Sequence, residues 1–172
     1  MSFSQDVKNE LLKIEYEKSC CEKAMLYGIC IFGKSFSGFG VSMQSENEEL
    51  ARLYRKLIKK YCNVDCDVKR SPGGRNYSVS IENSADCDKI LGAFGHGDKG
   101  SLKINHSNFD CEECRNAFVA GAFLSCGTVS TPQKDYHLEF TVPYLNLSKS
   151  LVTLLGEIEL SPKTSNRKGY NI

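Results

Sequence analysis

Val119-Ala120-Gly121-Ala122-Phe123-Leu124-Ser125-Cys126-Gly127 is the stretch that decides the fold of this chain, together with an earlier one, Leu26-Tyr27-Gly28-Ile29-Cys30-Ile31-Phe32-Gly33-Lys34. An offset of 93 residues lays one on the other, with Cys21 on Cys114, Ala24 on Ala117, Gly28 on Gly121 and Ser37 on Ser130. Much further along, Tyr77 falls on Tyr170 and Val79 on Ile172 at the same offset. Matching groups at one offset indicate a duplicated chain.

Each copy opens with a helix that is apolar on nearly every side and has a glycine in its middle. Such a helix has to be buried all round. A glycine within a helix costs about 1 kcal/mol relative to alanine, so we expect a packing reason for it. Gly28 and Gly121 would let the two helices cross closely on a pseudo-two-fold axis. The alternative is that each glycine only weakens an ordinary core helix.

Length and composition place the chain among globular proteins of the cell interior. It has 172 residues, of which 41% are hydrophobic, and a net charge of +1. Residues 1–6 lack the basic and apolar regions of a signal peptide, and no apolar run is long enough to cross a bilayer. We therefore expect a cytoplasmic protein whose nine cysteines are reduced thiols. Basic residues must cluster locally if the chain is to bind nucleic acid.

In the first copy, residues 1–94, the sequence pattern predicts secondary-structure elements in the order helix, strand, helix, hairpin, helix. A short helix runs from Gln5 to about Ile14, and the apolar helix from Cys20 to about Gly33. The remaining elements follow from alternation, amphipathic spacing and turn residues: a strand at 41–44, a helix at 47–61, strands at 64–70 and 75–82 joined by Pro72-Gly73-Gly74, and a helix to about Phe94 capped by Ser84.

The second copy, residues 110–172, follows a linker at 95–109 that is rich in Gly, Asn, His and Ser. It repeats the apolar helix through Cys126, a strand at 136–142 and a helix at 147–157. Residues 158–163 are expected to open a hairpin whose turn is Asn166-Arg167-Lys168-Gly169. Since Ile172 is the counterpart of Val79, the pattern predicts a truncated copy.

These elements predict an α+β fold with pseudo-two-fold symmetry. The two apolar helices pack together, and antiparallel strands are covered by helices on one side. We expect the strands of both copies to lie side by side in one curved sheet, with its polar face open.

The same residues resemble a known family. An apolar helix with a central small residue, then strand, helix, hairpin and helix, twice over, is similar to the LAGLIDADG homing-endonuclease fold. A more specific resemblance covers essentially the whole chain. It is carried by Ser2-Phe3-Ser4, Val7-Lys8-Asn9-Glu10-Leu11, Cys20-Cys21, Arg115-x-Ala117-Phe118-x-x-Gly121-Ala122-Phe123-Leu124, Gly127-x-Val129-Ser130-x-Pro132 and Tyr136-His137-Leu138-Glu139. Together these are similar to the N-terminal half of the bacterial WhiA family of DNA-binding regulators.

The resemblance implies a protein of sporulation or cell-division control in Gram-positive bacteria. It also implies a C-terminal helix-turn-helix domain that lies outside these residues. In the nucleases, the eighth residue of each nine-residue motif is acidic, and the pair holds divalent metal. Gly33 and Cys126 stand there in this chain. Magnesium needs oxygen ligands, usually carboxylates, so we expect no catalytic residues and no cleavage.

Two other groups of residues could hold a metal or do chemistry. Cys111-Glu112-Glu113-Cys114 is a CxxC, and Cys20-Cys21 sits at the matching place in the first copy, so four thiolates could hold a structural zinc ion. Adjacent cysteines chelate one ion poorly, however, and no second CxxC exists, so the sequence favours reduced cysteines with no metal and no cofactor. Among the three histidines, His137 lacks the nucleophile and partner that a general base needs, and His96 and His106 lie in the expected linker.

The remaining candidate site is the polar sheet face and its hairpin tips. Basic residues flank the tips at matching places, as suits phosphates on either side of a groove, and a two-stranded ribbon can enter a major groove. The expected DNA contacts are Lys69, Arg70, Arg75, Lys134, Lys163, Arg167 and Lys168, with Gln44 and Asn76 as candidates for reading base edges. Acidic residues share this face and weigh against the hypothesis: Asp65, Asp67, Glu82, Glu139 and Glu159.

The interpretation is a non-catalytic DNA-binding part of a transcriptional regulator acting in sporulation, cell division or chromosome segregation. We expect it to bind duplex DNA at the nucleoid, and to bind neither a membrane nor a small-molecule substrate. The alternative is a protein-interaction module that docks a co-regulator through its sheet, DNA binding being left to the C-terminal domain. An active endonuclease is the third hypothesis. A basic stripe over the sheet favours DNA, whereas an acidic or apolar face favours a protein partner.

Overall fold

Two helices pack against each other at the centre of the molecule. The computed structural model describes residues 2–97, 100–131, 133, 135, 137–167 and 169–172. The central pair consists of α2 (Ser19–Ile31) and α5 (Glu113–Cys126). Every residue of α2 from Ala24 to Ile31 is buried, because a helix without a polar face finds no favourable contact with water. The expected α+β fold with two packed central helices is confirmed.

The backbones of the central helices approach closely at their two glycines. A Cβ added to Gly28 would overlap the carbonyl oxygen of Phe118 and lie 2.8 Å from the backbone nitrogen of Ala122. A Cβ added to Gly121 would overlap the carbonyl oxygen of Met25 and lie 2.9 Å from its carbonyl carbon. One hydrogen bond also joins the pair, since Ser125 Oγ donates to the carbonyl oxygen of Ile29 at 2.7 Å. Only residues without a side chain fit at this crossing.

The first half places helices over one face of a four-stranded antiparallel sheet. Its further elements are α1 (Phe3–Leu12), β1 (Ser35–Ser37), β2 (Gly40–Ser45), α3 (Glu48–Cys62), β3 (Val68–Arg70), β4 (Tyr77–Ile81) and α4 (Ser84–Ala93). The strand order is β1-β2-β4-β3. Val41, Met43, Val79 and Ile81 are buried under α2 and α3, whereas the serines and polar residues between them face outward, as the alternation of a half-buried strand requires.

The second half repeats this arrangement with fewer strands. Its elements are α5, β5 (Gly127–Val129), β6 (Leu138–Val142), α6 (Leu145–Glu157) and β7 (Tyr170–Asn171), and the strand order is β5-β6-β7. This order matches β1-β2-β4 of the first half, and the pair Val142↔Tyr170 corresponds to Ser45↔Tyr77. Helix α1 belongs to the first half but contacts the second. Ser4 Oγ donates to the carbonyl oxygen of Val129 at 2.9 Å and accepts from its backbone nitrogen at 2.8 Å.

Several details differ from the sequence expectations. The described strands form two sheets rather than one curved sheet. Residues 158–163 are not a strand, because α6 ends in a left-handed cap: Glu159 has φ 68°, and Leu160 N–H donates to the carbonyl of Leu155 at 2.9 Å. Asn83, not Ser84, caps α4 by accepting from the backbone nitrogen of Asp86. Strands β1 and β5 were not predicted.

The segment expected to be a linker is held in place by hydrogen bonds. Gly95, at φ 70°, and the bond from His96 N–H to the carbonyl of Leu91 end helix α4 in a left-handed cap. Tyr27 Oη lies 2.5 Å from His96 Nε2 and accepts from the backbone nitrogen of Asn105 at 2.8 Å. A turn of 3-10 helix follows at His106–Asn108. The segment therefore fixes His96 against the central helix α2. Within the residues described, no helix is long and apolar enough to cross a membrane.

Candidate nucleic-acid interface and the ends of the central helices

The outer face of the first sheet carries two rows of polar side chains. Directly paired residues on neighbouring strands point to the same face. One row runs Gln44, Ser78, Lys69 across β2, β4 and β3, and the other runs Ser35, Ser42, Ser80 across β1, β2 and β4. Small serines therefore line the middle of this face, and longer polar side chains stand at its edge. The short serine side chains leave room for a nucleic-acid strand on this face.

Basic side chains cluster at the β3–β4 hairpin, where Lys69 lies on the outer face and Arg70, paired with Tyr77, lies on the opposite face of β3. Lys69, Arg70 and Arg75 are all exposed. Arg70 donates to the carbonyl oxygen of Gly74 at 3.3 Å from Nη2, and its guanidinium lies 6.0 Å from the ring centroid of Tyr77. These contacts hold the side chain at the hairpin without neutralising it. Among the residues that the structure describes, none of the three basic groups has a carboxylate within salt-bridge distance.

Two residues expected to read bases lie at the same end. Gln44 is exposed, and Lys34 Nζ donates to its Oε1 at 3.5 Å, which brings a further cation to the polar face. Asn76 is partly buried in the turn, where its backbone N–H donates to Ser71 Oγ at 3.1 Å. Lys34 is a basic residue that sequence reasoning missed. No sequence signal marked it, because strand β1, which begins directly after Lys34, was itself not predicted.

The second sheet is less basic than the first. Glu139 pairs with Thr128 across β5 and β6, and Arg167 Nη2 contacts its carboxylate at 2.6 Å. His137 Nε2 lies 3.8 Å from the same carboxylate. Arg167 is thus partly neutralised by an acid on its own face, although its side chain is still 67% exposed. Lys163 is exposed at 161–164, a segment without regular structure. Lys134 and Lys168 lie outside the described residues.

The amphipathic helix α3 carries a second basic surface. It differs from the β3–β4 hairpin because two of its lysines form ion pairs. Lys59 contacts Asp65 at 3.2 Å and Lys60 contacts Glu22 at 2.6 Å. Asp65 therefore lies beside the helix, and Lys59 offsets part of the charge of this one acidic residue among those that weigh against a nucleic-acid interface. Lys59 and Lys60 of α3 are paired with carboxylates, whereas the basic residues of the β3–β4 hairpin have no such partner among the described residues.

The C-terminal ends of the central helices do not fit the metal centre that the fold implies. A Cβ on Gly33 would lie 2.7 Å from the carbonyl oxygen of Ser42, so a carboxylate cannot be placed there without moving backbone. Burial raises the pKa of the Cys126 thiol to about 12, which keeps it neutral and a poor ligand for magnesium. The partly buried Lys8, whose Nζ lies 5.7 Å from the Phe123 ring centroid, interacts with Cys126. Lys8 therefore lies near the C-terminal end of α5, where a divalent ion would have to bind.

The opposite ends of the same helices bring four cysteines together. Cys20, Cys21, Cys111 and Cys114 have their Sγ atoms within 4.8 Å of one another. Within the part of the chain that is described, this is the one group of three or more His, Cys, Asp or Glu residues placed to share a metal ion. The sequence showed the matching positions of these residues but not the distances between them.

Comparison with known proteins identifies the family. The WhiA LAGLIDADG-like domain family matches residues 115–172. The "Probable cell division protein WhiA" of Alkaliphilus metalliredigens (strain QYMF) is 32% identical over 190 residues, which cover 98% of this chain and 58% of that protein. The chain carries the LAGLIDADG domain of the WhiA family. It spans a little over half the length of the curated WhiA relatives that it matches.

Solved structures of WhiA and of homing endonucleases share this fold. A crystal structure of the N-terminal LAGLIDADG domain of DUF199/WhiA superposes with a TM-score of 0.64 at 15% identity, covering 99% of this chain and 81% of that one. A crystal structure of I-DmoI in complex with DNA and Mn superposes with a TM-score of 0.54 at 15% identity, covering 90% of this chain and 89% of that one. At such identities the likeness shows the fold alone, and it confirms the LAGLIDADG architecture of this WhiA domain.

Proposed function

We propose that this WhiA domain binds duplex DNA through the outer faces of its sheets, chiefly the first, and does not cleave it. The observation that carries the proposal is the cluster of Lys69, Arg70 and Arg75 beside a row of small serines, without a carboxylate on any of the three among the described residues. The name shared by its relatives, probable cell division protein, fits a regulator. We extend this to a transcriptional regulator acting in cell division or sporulation, at the nucleoid in the cytoplasm.

Phosphates are the main ligands in this proposal. Exposed basic side chains at a hairpin tip supply point charges that displace counterions from the DNA backbone, and this release drives binding without regard to sequence. Arg70 and Arg75 can also chelate two phosphate oxygens at once. Sequence preference is expected to be weak, because Gln44 and Asn76 are the described side chains on this face that can pair with an adenine edge in two hydrogen bonds.

Support for DNA as the partner comes from the shape of the fold as well as from charge. The structural neighbour I-DmoI was crystallised with DNA, and its fold covers the same central helices and sheets. The net charge of +1 does not oppose the proposal, because a binding surface needs only a local excess of basic residues. Asp65 pairs with Lys59, and Glu22 pairs with Lys60.

The absence of cleavage is proposed from the C-terminal ends of the central helices. Phosphodiester hydrolysis of this type needs divalent ions held by carboxylates that stabilise the attacking and leaving oxygens. Gly33 has no room for a carboxylate, Cys126 is a half-buried thiol that its raised pKa keeps neutral, and Lys8 lies near the same helix end. Each of the three disfavours a bound magnesium ion.

A second candidate function is docking of a protein partner. It is favoured by Phe39, whose side chain is 96% exposed at the turn between β1 and β2, and by the exposed Leu138 of β6. Large apolar side chains at the surface are common at sites of protein association. In this case the sheet would contact a co-regulator, and the assay below would detect no DNA binding by this chain.

The test compares two triple variants that remove the same charge. The sheet variant carries Lys69→Ala, Arg70→Ala and Arg75→Ala, and the helix variant carries Lys56→Ala, Lys59→Ala and Lys60→Ala. Fluorescence anisotropy with several unrelated duplexes measures the dissociation constants. If all three sheet residues contact phosphates, the sheet variant should lose up to roughly 500-fold in affinity at 0.1 M salt on every duplex.

The helix variant should keep the affinity of the wild type within a few-fold, and unchanged far-UV circular dichroism establishes that both variants are folded. Loss of DNA by the helix variant with retention by the sheet variant would show that the sheet is not the binding surface. A wild-type chain that binds no duplex at low salt would leave protein docking as the function.

A further inference from the structure

Four cysteine sulfurs meet where the N-terminal ends of the two central helices come together. Cys111 Sγ lies 3.4 Å from Cys21 Sγ, 3.5 Å from Cys114 Sγ and 3.7 Å from Cys20 Sγ. Cys21 Sγ lies 3.9 Å from Cys114 Sγ. Two of these residues come from the first copy and two from the second, so the cluster joins parts of the chain about 90 residues apart.

These distances match a tetrahedral metal site. Zinc binds thiolates at about 2.3 Å, and four sulfurs placed tetrahedrally at that distance are about 3.8 Å from one another. We propose that Cys20, Cys21, Cys111 and Cys114 bind one zinc ion that holds the two copies of the fold together. This proposal is independent of the DNA-binding function, which uses the sheets.

The structure answers the objection that adjacent cysteines chelate poorly. Cys20 and Cys21 lie in the first turn of α2, which begins at Ser19. Cys21 is buried and Cys20 is half-buried, yet both sulfurs lie within 4.8 Å of those of Cys111 and Cys114. The site sits beside the helix end, where side chains of adjacent residues can both turn toward the partner helix. Cys111 and Cys114 supply the CxxC spacing that is usual for structural zinc.

Two helix ends and a lysine place positive potential beside the cluster. Both central helices point their N-termini at the cluster, and the free N–H groups and dipole of a helix N-terminus stabilise negative charge. Cys21 N–H donates to the carbonyl oxygen of Lys18 at 3.1 Å and Cys114 N–H to that of Cys111 at 3.2 Å, so the helix dipoles are the part of this effect that acts on the sulfurs. The ammonium of Lys18, paired with Glu113 at 3.3 Å, adds positive charge beside Cys111 and Cys21.

The distances between the four sulfurs also distinguish a site for a single metal ion from a site for an iron–sulfur cluster. An iron–sulfur cluster binds its cysteines through different iron atoms, so its ligands stand further apart than four sulfurs that share one ion. Zinc is the usual ion for four thiolates in tetrahedral array. Each thiol that binds the ion releases its proton to solvent, so no oxidant or reductant is required.

The experiment measures metal in the purified chain, prepared under reducing conditions without chelator. Elemental analysis should find one zinc ion per chain. After removal of zinc, added Co²⁺ should give the visible and near-ultraviolet absorption of a tetrahedral thiolate site, and Zn²⁺ should displace it. Competition with a chelating dye gives the zinc affinity. Zinc should raise the melting temperature, because an ion that binds only the folded state stabilises it.

Three cysteine variants locate the site. Cys111→Ser removes the sulfur that contacts the other three, and Cys20→Ser removes a half-buried one with little change in packing. Each should weaken zinc binding by more than about 10-fold, since loss of a group that merely supports a ligand already weakens a metal site by that factor. Cys66→Ser, at a half-buried cysteine outside the cluster, is the matched control and should bind zinc like the wild type.

The proposal is overturned if the wild-type chain holds no zinc and gives no cobalt spectrum. It is equally overturned if Cys20→Ser and Cys111→Ser bind zinc as tightly as Cys66→Ser, or if mass spectrometry finds a disulfide within the cluster in the reduced preparation. Should Cys111→Ser fail to fold, the zinc content of the wild type and the affinity of Cys20→Ser decide the question.

Discussion

Replacing Gly121 with alanine should destabilise the domain, although alanine is the better helix former. A Cβ at this position would overlap the carbonyl oxygen of Met25 and lie 2.9 Å from its carbonyl carbon. Backbone atoms cannot rotate away as a side chain can, so helices α2 and α5 must separate by roughly half an ångström or more in a close-packed core. Overpacking of this kind costs about 1–3 kcal/mol, and the gain in helix propensity, about 1 kcal/mol, offsets only part of it.

Gly92 supplies the matched control for this change. It lies in helix α4, is exposed, and has no described atom within 4 Å of an added Cβ. Gly92→Ala should therefore stabilise the domain by up to about 1 kcal/mol through propensity alone. The two substitutions are chemically identical and should have opposite signs.

Urea unfolding followed by far-UV circular dichroism measures both variants. Gly121→Ala should lower the free energy of unfolding by up to about 2 kcal/mol, which corresponds to a fall of about 4–8 °C in melting temperature for a chain of this size. If Gly121→Ala is as stable as Gly92→Ala, the close crossing of the central helices is refuted.

Two further predictions concern the metal position and the buried histidine. With Gly33 and Cys126 at the places of the nuclease carboxylates, magnesium should bring no cleavage or nicking of a duplex that the chain binds, and nicking that persists after repurification would contradict this. Burial lowers the pKa of His96, so the unfolded chain binds a proton more readily than the folded one, and stability should be lost as the pH falls below about 6.5. Protonated His96 could only donate to Tyr27 Oη, which already accepts from the backbone N–H of Asn105. Thermal melts between pH 7.5 and 5 should show a decline that is smaller in His96→Gln, and an equal decline in both chains would exclude His96 as its cause.

The duplicated fold could be predicted because its signals are local and repeated. An all-apolar helix has to be buried, and the alternation in 41–44 and 136–142 is that of strands. Gly28 and Gly121, each inside an apolar helix, predicted that the backbones of the two helices approach each other closely. Strands β1 and β5 have only three residues each, too few for alternation to show. The supposed strand at 158–163 was wrong because Glu159 adopts a left-handed conformation to end α6, which the sequence did not signal with a glycine.

The candidate sites were only partly accessible from the sequence. The basic residues of the β3–β4 hairpin could be found by their places beside a turn, and their role in DNA binding stays a prediction. Which acids neutralise which bases depends on tertiary contacts, as for Asp65 with Lys59 and Glu139 with Arg167. The cysteine cluster illustrates the same limit. The repeat aligned Cys21 with Cys114, but whether the sulfurs meet depends on how the two helix ends pack.

The salt dependence of DNA binding tests the account most directly. Three to five basic contacts predict that log affinity falls with log salt with a slope of about −3 to −4.5. The sheet variant, which lacks Lys69, Arg70 and Arg75, should have a slope smaller in magnitude by up to about 2.7, whereas the helix variant should keep the wild-type slope. A sheet variant with the slope of the wild type would contradict the assignment of DNA binding to the first sheet.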